Sequence, residues 1–132
     1  MDRNVIRELL KRNLAETIAR KTGAKYEFEY HFAAPDRKWR SDIAFPAEKV
    51  AIEIDGGLWN YGRHNRAASM LADMEKGNGY SARGWLVFHC PWEWIEGGRR
   101  DRSVALVEEI TAAIAARVAE GGQGDGTTNS VY

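Results

Sequence analysis

Asp42, Glu53 and Asp55 are the residues of this 132-residue chain whose types and spacing best suit chemistry. Asp42 lies in the run Trp39-Arg40-Ser41-Asp42-Ile43-Ala44-Phe45, and the other two lie in Val50-Ala51-Ile52-Glu53-Ile54-Asp55. Pro46-Ala47-Glu48-Lys49, with turn composition, separates the runs. Period-2 alternation, β-branched side chains and a Pro-containing break together predict an antiparallel hairpin. If Phe45 faces Val50, each step outward carries the pairing along until Asp42 stands opposite Glu53 and Arg40 opposite Asp55. Opposed residues on one face have Cβ atoms roughly 4.5–5.5 Å apart, and like charges there destabilise a sheet. A buried carboxylate also costs free energy unless it is paired or binds a metal. Folding alone gives no reason for three acids on one face of an apolar hairpin. A hard divalent cation gives one, because Mg²⁺ takes carboxylate oxygens together with water and substrate phosphate. The alternative is a solvated outer face on which Arg40 neutralises Asp55.

The segment after Asp55 adds a second kind of chemistry. Gly56-Gly57 ends the strand and permits a close backbone approach. Leu58 to Arg66 then carries Trp59, Tyr61, Arg63, His64 and Arg66. Cations interleaved with aromatic rings suit a phosphate backbone and base faces. His64 is a candidate proton donor, base or phosphate contact, or else a plain surface residue. Asp73 and Lys76, three residues apart, share one side of the next helix, where a surface ion pair is the alternative reading. His89-Cys90 has no second ligand cluster, which argues against zinc, and no spacing supports a catalytic cysteine.

Around these residues the elements follow from periodicity. Ile6, Leu9, Leu10, Leu14 and Ile18 predict a helix over residues 3–22, capped by Asp2 and ended by Gly23. Glu16 falls at the edge of its apolar stripe, within reach of a site at the sheet edge, or is simply a surface acid. Tyr26 to Phe32 alternates as a strand, with Tyr26, Phe28, Tyr30 and Phe32 on one side and Glu27, Glu29 and His31 on the other. Residues 65–83 predict a helix with Ala67, Met70, Leu71 and Met74 inward, and Gly77 and Gly79 weaken it by about 1 kcal/mol each. Trp85 to Phe88 is a short covered strand. A crossover back to the same sheet follows from that order. Val104 to Ala119 is a last helix with Val107, Ile110 and Ile114 inward, and the Gly-rich residues 121–132 read as a disordered tail. Residues 1–120 thus form one domain.

The formal net charge is zero, so no global basic field argues for nucleic acid. The charge is uneven, however. Arg3, Arg7, Lys11, Arg12, Arg20, Lys21 and Lys25 outnumber Asp2, Glu8 and Glu16 in the first 25 residues, whereas Arg117 alone faces Glu108, Glu109, Glu120 and Asp125 from residue 103 onward. A neutral chain can still carry a basic surface. The single cysteine, Cys90, excludes an internal disulfide and fits a reducing compartment. With no apolar run of membrane-spanning length and no signal-peptide pattern, a cytoplasmic protein with no membrane partner is expected.

The order helix, strand, strand with Asp, strand with Glu, helix, strand resembles the PD-(D/E)XK nuclease superfamily. Ser41-Asp42 matches its first metal-binding element and Glu53-Ile54-Asp55 its (D/E)-x-K triplet. Ile52 to Gly57, Gly62-Arg63-His64, Asp73 to Lys76 and Gly84 to Val87 resemble more closely the branch of very-short-patch-repair-like and small phage endonucleases. The resemblance spans residues 5–95. It implies an α/β, restriction-endonuclease-like core: a central mixed four-stranded sheet flanked by helices (αβββαβ), followed here by a C-terminal helix. It also implies a Mg²⁺-dependent endodeoxyribonuclease, with Mn²⁺ able to substitute. Asp42, Glu53, Asp55 and the Ile54 carbonyl are the implied metal ligands. Asp55 stands where the family has lysine, so that role passes to Lys76 or His64, and Glu16 is the candidate for a first-helix glutamate. Arg40, Arg63 and Arg66, with Trp59 and Tyr61, would hold DNA. A chain this small suits recognition of DNA structure, such as a branch, nick, flap, mismatch or Holliday junction. A homodimer suits cutting two strands, and a phage source, acting in a host cytoplasm, is one expectation. The competing classes are a catalytically inactive DNA-binding or assembly module of the same fold, and an interaction domain with an acidic patch.

Overall fold

The computed structural model describes the backbone of residues 1–56 and 66–127, and the side chains of these except residue 66 and residues 122–127. Four helices and four strands follow in the order α1 (Arg3–Thr22), β1 (Glu27–Tyr30), β2 (Ser41–Phe45), β3 (Val50–Asp55), α2 (Arg66–Ala82), β4 (Leu86–Pro91), α3 (Trp92–Glu96) and α4 (Arg100–Thr127). The strands form one mixed sheet in the order β1-β2-β3-β4. The first two pairings are antiparallel and β3-β4 is parallel. This is the αβββαβ arrangement with a C-terminal helix that the sequence predicts, crossover included.

The hairpin closes as its sequence requires. Phe45 pairs with Val50, Ala44 with Ala51 and Ile43 with Ile52. Lys49 adopts φ 57° to complete the turn. One sheet face carries Ile43, Phe45, Val50, Ile52 and Cys90 against Leu14, Ala15 and Ile18 of α1 and Leu106, Val107, Ile110 and Ile114 of α4. The other carries the small residues Ala44 and Ala51, which leave room for Phe32, Tyr80 and Trp85. Small side chains on that face let large rings come close to the backbone, which is how α2 is seated.

Four local expectations need correction. Ile6 and Leu9 of α1 are exposed, because the first turns of the helix run along α3, where Arg7 lies over the Trp92 ring and pairs with Glu96. In α2, Ala67, Met70, Leu71 and Met74 all face out, the last three 42%, 66% and 57% exposed. Only the final turns lie against the sheet, through Gly79 and Tyr80. A Cβ on Gly79 would run into the Trp39 ring, so this glycine serves packing rather than weakening the helix. The aromatic side of the first strand is split: Tyr26 and Phe28 pack with the α1/α4 layer and Tyr30 and Phe32 with the α2 layer. The reversal falls at Glu29, whose φ of 50° is unusual for a residue with a Cβ. Finally, α4 starts before Val104 and continues as helix through Thr127. This helix thus takes in residues 121–127, which the Gly-rich composition assigned to the tail. Residues 128–132 lie outside the described residues.

Candidate active site

The β1-β2 register pairs Phe28 with Ile43 and Tyr30 with Ser41, so the position between them sets Glu29 level with Asp42. Continuing the β2-β3 register by one step sets Asp42 level with Glu53. Glu53 in turn pairs with His89 across the parallel ladder. By that extended count Glu29, Asp42, Glu53 and His89 fall in one transverse row of positions over the four strands, of which Glu53 and His89 are the pair the ladder itself contains.

At Asp42 the regular β2-β3 ladder gives way to a side-chain bond. The backbone N–H of Ile54 donates to Asp42 Oδ2 at 2.6 Å. Ile54 therefore touches Asp42 through its N–H, whereas the expectation for this residue was its carbonyl. Burial pushes the Asp42 carboxyl up to about 6; Glu53 and Glu29 push the same way, and the Ile54 hydrogen bond and Lys11 oppose them. An acid held this far above its ordinary range is one whose charged form the fold does not fully satisfy.

Glu53 is served from α2. Lys76 Nζ lies 2.9 Å from Glu53 Oε2 and donates to the Arg40 carbonyl at 2.7 Å. An ammonium has three donors; these contacts use two. The Tyr80 hydroxyl donates to the same Glu53 Oε2 and shares another hydrogen bond, 2.8 Å long, with Ser41 Oγ. Burial, then the bond to Glu53, pushes the Tyr80 hydroxyl well above its ordinary range, so it stays protonated and donates. Both donors fall on one oxygen. Among the described residues, Asp42 Oδ1 and Glu53 Oε1 have no donor.

The two ends of the row differ. At the β1 end, Lys11 of α1 is 6% exposed and pairs with Glu29 at 2.7 Å. Arg40 reaches Glu29 only at 3.9 Å. At the β4 end, His89 Nδ1 lies 3.1 Å from Asp55 Oδ2, and that bond raises the imidazole pKa. A cleft of about 530 Å³ opens here, with Glu53, Asp55, Lys76, Tyr80 and His89 on its wall.

The predicted residues therefore separate. Glu53 and Lys76 come together at 2.9 Å, and Asp42 lies near enough for the Glu53 charge to push its carboxyl up. Asp55 lies at the exposed end with His89 as its partner, so Arg40 does not neutralise it as the hairpin alone suggested. Glu16 of α1 accepts from the Tyr26 hydroxyl at 3.2 Å and is committed to that contact. Trp59, Tyr61, Arg63 and His64 lie outside the described residues, as does the side chain of Arg66. Four participants escaped the sequence reading: Lys11, Glu29, Tyr80 and His89. Tyr80 had a signal, since it is four residues from Lys76 and so on the same helix side. His89 had one too, because Phe88 and Cys90 facing one layer turns it to the other.

No protein-family model, curated protein or solved structure matches this chain. Among the described residues no three His, Cys, Asp or Glu side chains group closely enough to hold a metal ion by themselves. No described helix is long and apolar enough to cross a membrane.

Proposed function

We propose that this chain is a Mg²⁺-dependent endodeoxyribonuclease of the PD-(D/E)XK kind. The observation that carries the reading is Lys76, which the α2 helix brings to 2.9 Å from Glu53, in place of the lysine missing from the triplet. The donor set fits a hard cation held by two carboxylates, the mode in which Mg²⁺ keeps water and phosphate as its other ligands. Asp42 and Glu53 each keep one oxygen without a donor among the described residues, and Lys11, the cation whose charge reaches Asp42, is paired with Glu29. The Ile54 carbonyl is a further candidate ligand, and Asp55 a more distant acid. Mg²⁺, or Mn²⁺ in its place, supplies Lewis-acid polarisation of the phosphate and a water of lowered pKa.

The chain's own residues do the rest. Lys76, fixed between Glu53 and the Arg40 carbonyl, keeps one donor for a phosphoryl oxygen as charge develops there. Arg40 and Arg66, together with Arg63, Trp59 and Tyr61, hold the flanking strand without reading its sequence. His64 remains a candidate for proton transfer. The substrate is branched, nicked, flapped or mismatched DNA, with a Holliday junction as one specific form. A homodimer would present two such sites, and the setting is the cytoplasm.

A second reading, a DNA-binding or assembly module without catalysis, draws on the closure of Glu53 between Tyr80 and Lys76. One experiment separates the two. Junction, flap, nicked and linear duplexes are incubated with and without Mg²⁺, using the wild type, Asp42→Asn and Glu53→Gln. Metal-dependent cleavage lost in both variants supports the nuclease. Binding with no cleavage under any metal supports the module.

A further inference from the structure

Tyr80 has no part in the reaction as proposed, yet it is among the most tightly held polar side chains near the site. Its ring stacks on Phe32 at 3.7 Å and 10° and meets Trp85 at 6.2 Å. It is 2% exposed, and Ser41 is fully buried. A tyrosine hydroxyl has one proton. Because that proton goes to Glu53, the Ser41 hydroxyl must donate to the Tyr80 oxygen. The result is a directed chain, Ser41 to Tyr80 to Glu53, anchored in a stack of buried rings.

We propose that Tyr80, oriented by Ser41, is the positioning residue that fixes the Glu53 carboxylate so that Oε1 is presented to the metal and Oε2 is retained by the protein. The inference rests on the nuclease reading for its metal. Partners that orient a ligating carboxylate typically change metal affinity by about 10–100-fold when removed. Lys76 also touches Oε2, but its charge can act on substrate as well. The two residues therefore have separable signatures: Tyr80 sets metal affinity, and Lys76 sets the rate at saturating metal.

The test uses the full chain with Tyr80→Phe, which keeps the stacked ring, beside Ser41→Ala and Lys76→Met. Mn²⁺ binding is measured by calorimetry, and cleavage is followed as a function of metal concentration. A metal-free crystal structure of Tyr80→Phe reports the Glu53 conformation. The expected result is Mn²⁺ affinity weakened at least about tenfold in Tyr80→Phe and less in Ser41→Ala. Glu53 adopts another or several conformations, and the rate at saturating metal stays close to wild type. In Lys76→Met the rate falls even at saturation. A Tyr80→Phe protein that binds Mn²⁺ like wild type, with Glu53 unmoved, overturns the assignment and leaves the nuclease reading standing. Weakened Mn²⁺ binding with no DNA cleaved by the wild type supports Tyr80 and overturns the nuclease. A wild type that binds no Mn²⁺ overturns both.

Discussion

Two clusters of charge on this molecule are built on opposite terms. Where α1 meets α3, Glu96 accepts from Arg7 Nε at 2.8 Å and Nη2 at 3.0 Å, with Arg3 Nη2 at 3.5 Å. Those contacts hold its carboxyl down at about 2. In the row across the sheet, Asp42 sits among Glu29 and Glu53 with one backbone donor, and its carboxyl is held up at about 6. The first cluster is an arrangement that folding rewards, because charge meets opposite charge in solvent. The second is one that folding resists, because burial and the neighbouring Glu53 and Glu29 charges act together on Asp42, while the cations Lys11 and Lys76 go to Glu29 and Glu53 instead. Carboxyls held away from their ordinary range in this way gather at functional sites more often than elsewhere.

The sharpest way to break this comparison is through activity. Asp42→Asn, Glu53→Gln and Lys76→Met should each reduce single-turnover DNA cleavage by at least about 100-fold, the scale of losing a reacting-centre group. Chelation by EDTA should abolish cleavage in the wild type. Glu96→Gln should leave cleavage within about twofold. Equal rates across all four variants would mean that the two clusters do not differ in kind.

The next test reads stability, and here the sign is opposite to the usual cost of losing a charged group. Asp42 has a folded-state pKa of about 6, above the ordinary value of 3.8. Below about pH 4 it is protonated in both the folded and unfolded chain and contributes nothing. As pH rises from about 4 to about 6 the unfolded chain ionises first, so wild-type stability falls, and above that it levels off. Two pKa units correspond to a loss of about 3 kcal/mol. Asp42→Asn escapes this loss. In metal-free buffer at pH 8 it should therefore be more stable than wild type by up to about 3 kcal/mol, with no gain at pH 4, as measured by urea unfolding. Adding Mg²⁺ should close the gap by stabilising the wild type alone.

What the sequence made legible, and what it did not, follows the same division. The hairpin register was legible because alternation and a proline turn are local, and the pairs Phe45–Val50, Ala44–Ala51 and Ile43–Ile52 follow it. Lys76 was named with His64 as a candidate through the resemblance, and its contact with Glu53 is what the structure adds. The remaining participants depend on how distant elements meet. Lys11 looks like any cation of a charged helix until that helix lies over β1. Glu29 reads as the outer side of a regular strand until a left-handed residue reverses the aromatic face, and nothing about a glutamate announces that conformation. Tyr80 reaches Glu53 only because Ala44 and Ala51 let α2 settle onto the sheet. The outward Met70, Leu71 and Met74 failed in the reverse way: their spacing is helical and apolar, but the part of α2 that carries them overhangs the sheet.

Two glycines of α2 sharpen the comparison by linking packing to the site. A Cβ at position 79 would collide with the Trp39 ring, next to the Arg40 whose carbonyl holds Lys76. Overpacking of this kind costs about 1–3 kcal/mol, against about 1 kcal/mol regained in helix propensity. Gly79→Ala should thus be neutral to destabilising by about 2 kcal/mol, and it should slow cleavage by disturbing Lys76. A Cβ at Gly77 meets nothing within 4 Å. Gly77→Ala should stabilise the protein by up to about 1 kcal/mol and leave cleavage intact. Thermal melts and cleavage assays on the pair would show whether the seat of α2, rather than helix strength, governs the site.

The smallest effect is expected at Glu96, and its pH dependence is the mirror of that at Asp42. Its folded-state carboxyl is held near 2, below the ordinary 4.5, by Arg7 first and Arg3 second. A lowered carboxylate contributes stability that is present above its unfolded pKa and lost as pH falls through the folded one. Wild type should lose this contribution between about pH 4.5 and 2, while Glu96→Gln lacks it throughout. The variant should therefore be slightly less stable than wild type at pH 7, and the difference should shrink toward pH 2. The ion pair is exposed to solvent, so added salt should shrink it as well. Salt should leave the Asp42→Asn gain at pH 8 largely in place, because burial is the largest cause of the raised Asp42 pKa and ions in solution do not screen desolvation. Denaturant titrations of both variants over pH and salt thus place the two clusters on opposite slopes. If the slopes run in the same direction, burial and crowding of acids does not distinguish the row across the sheet from an ordinary surface pair.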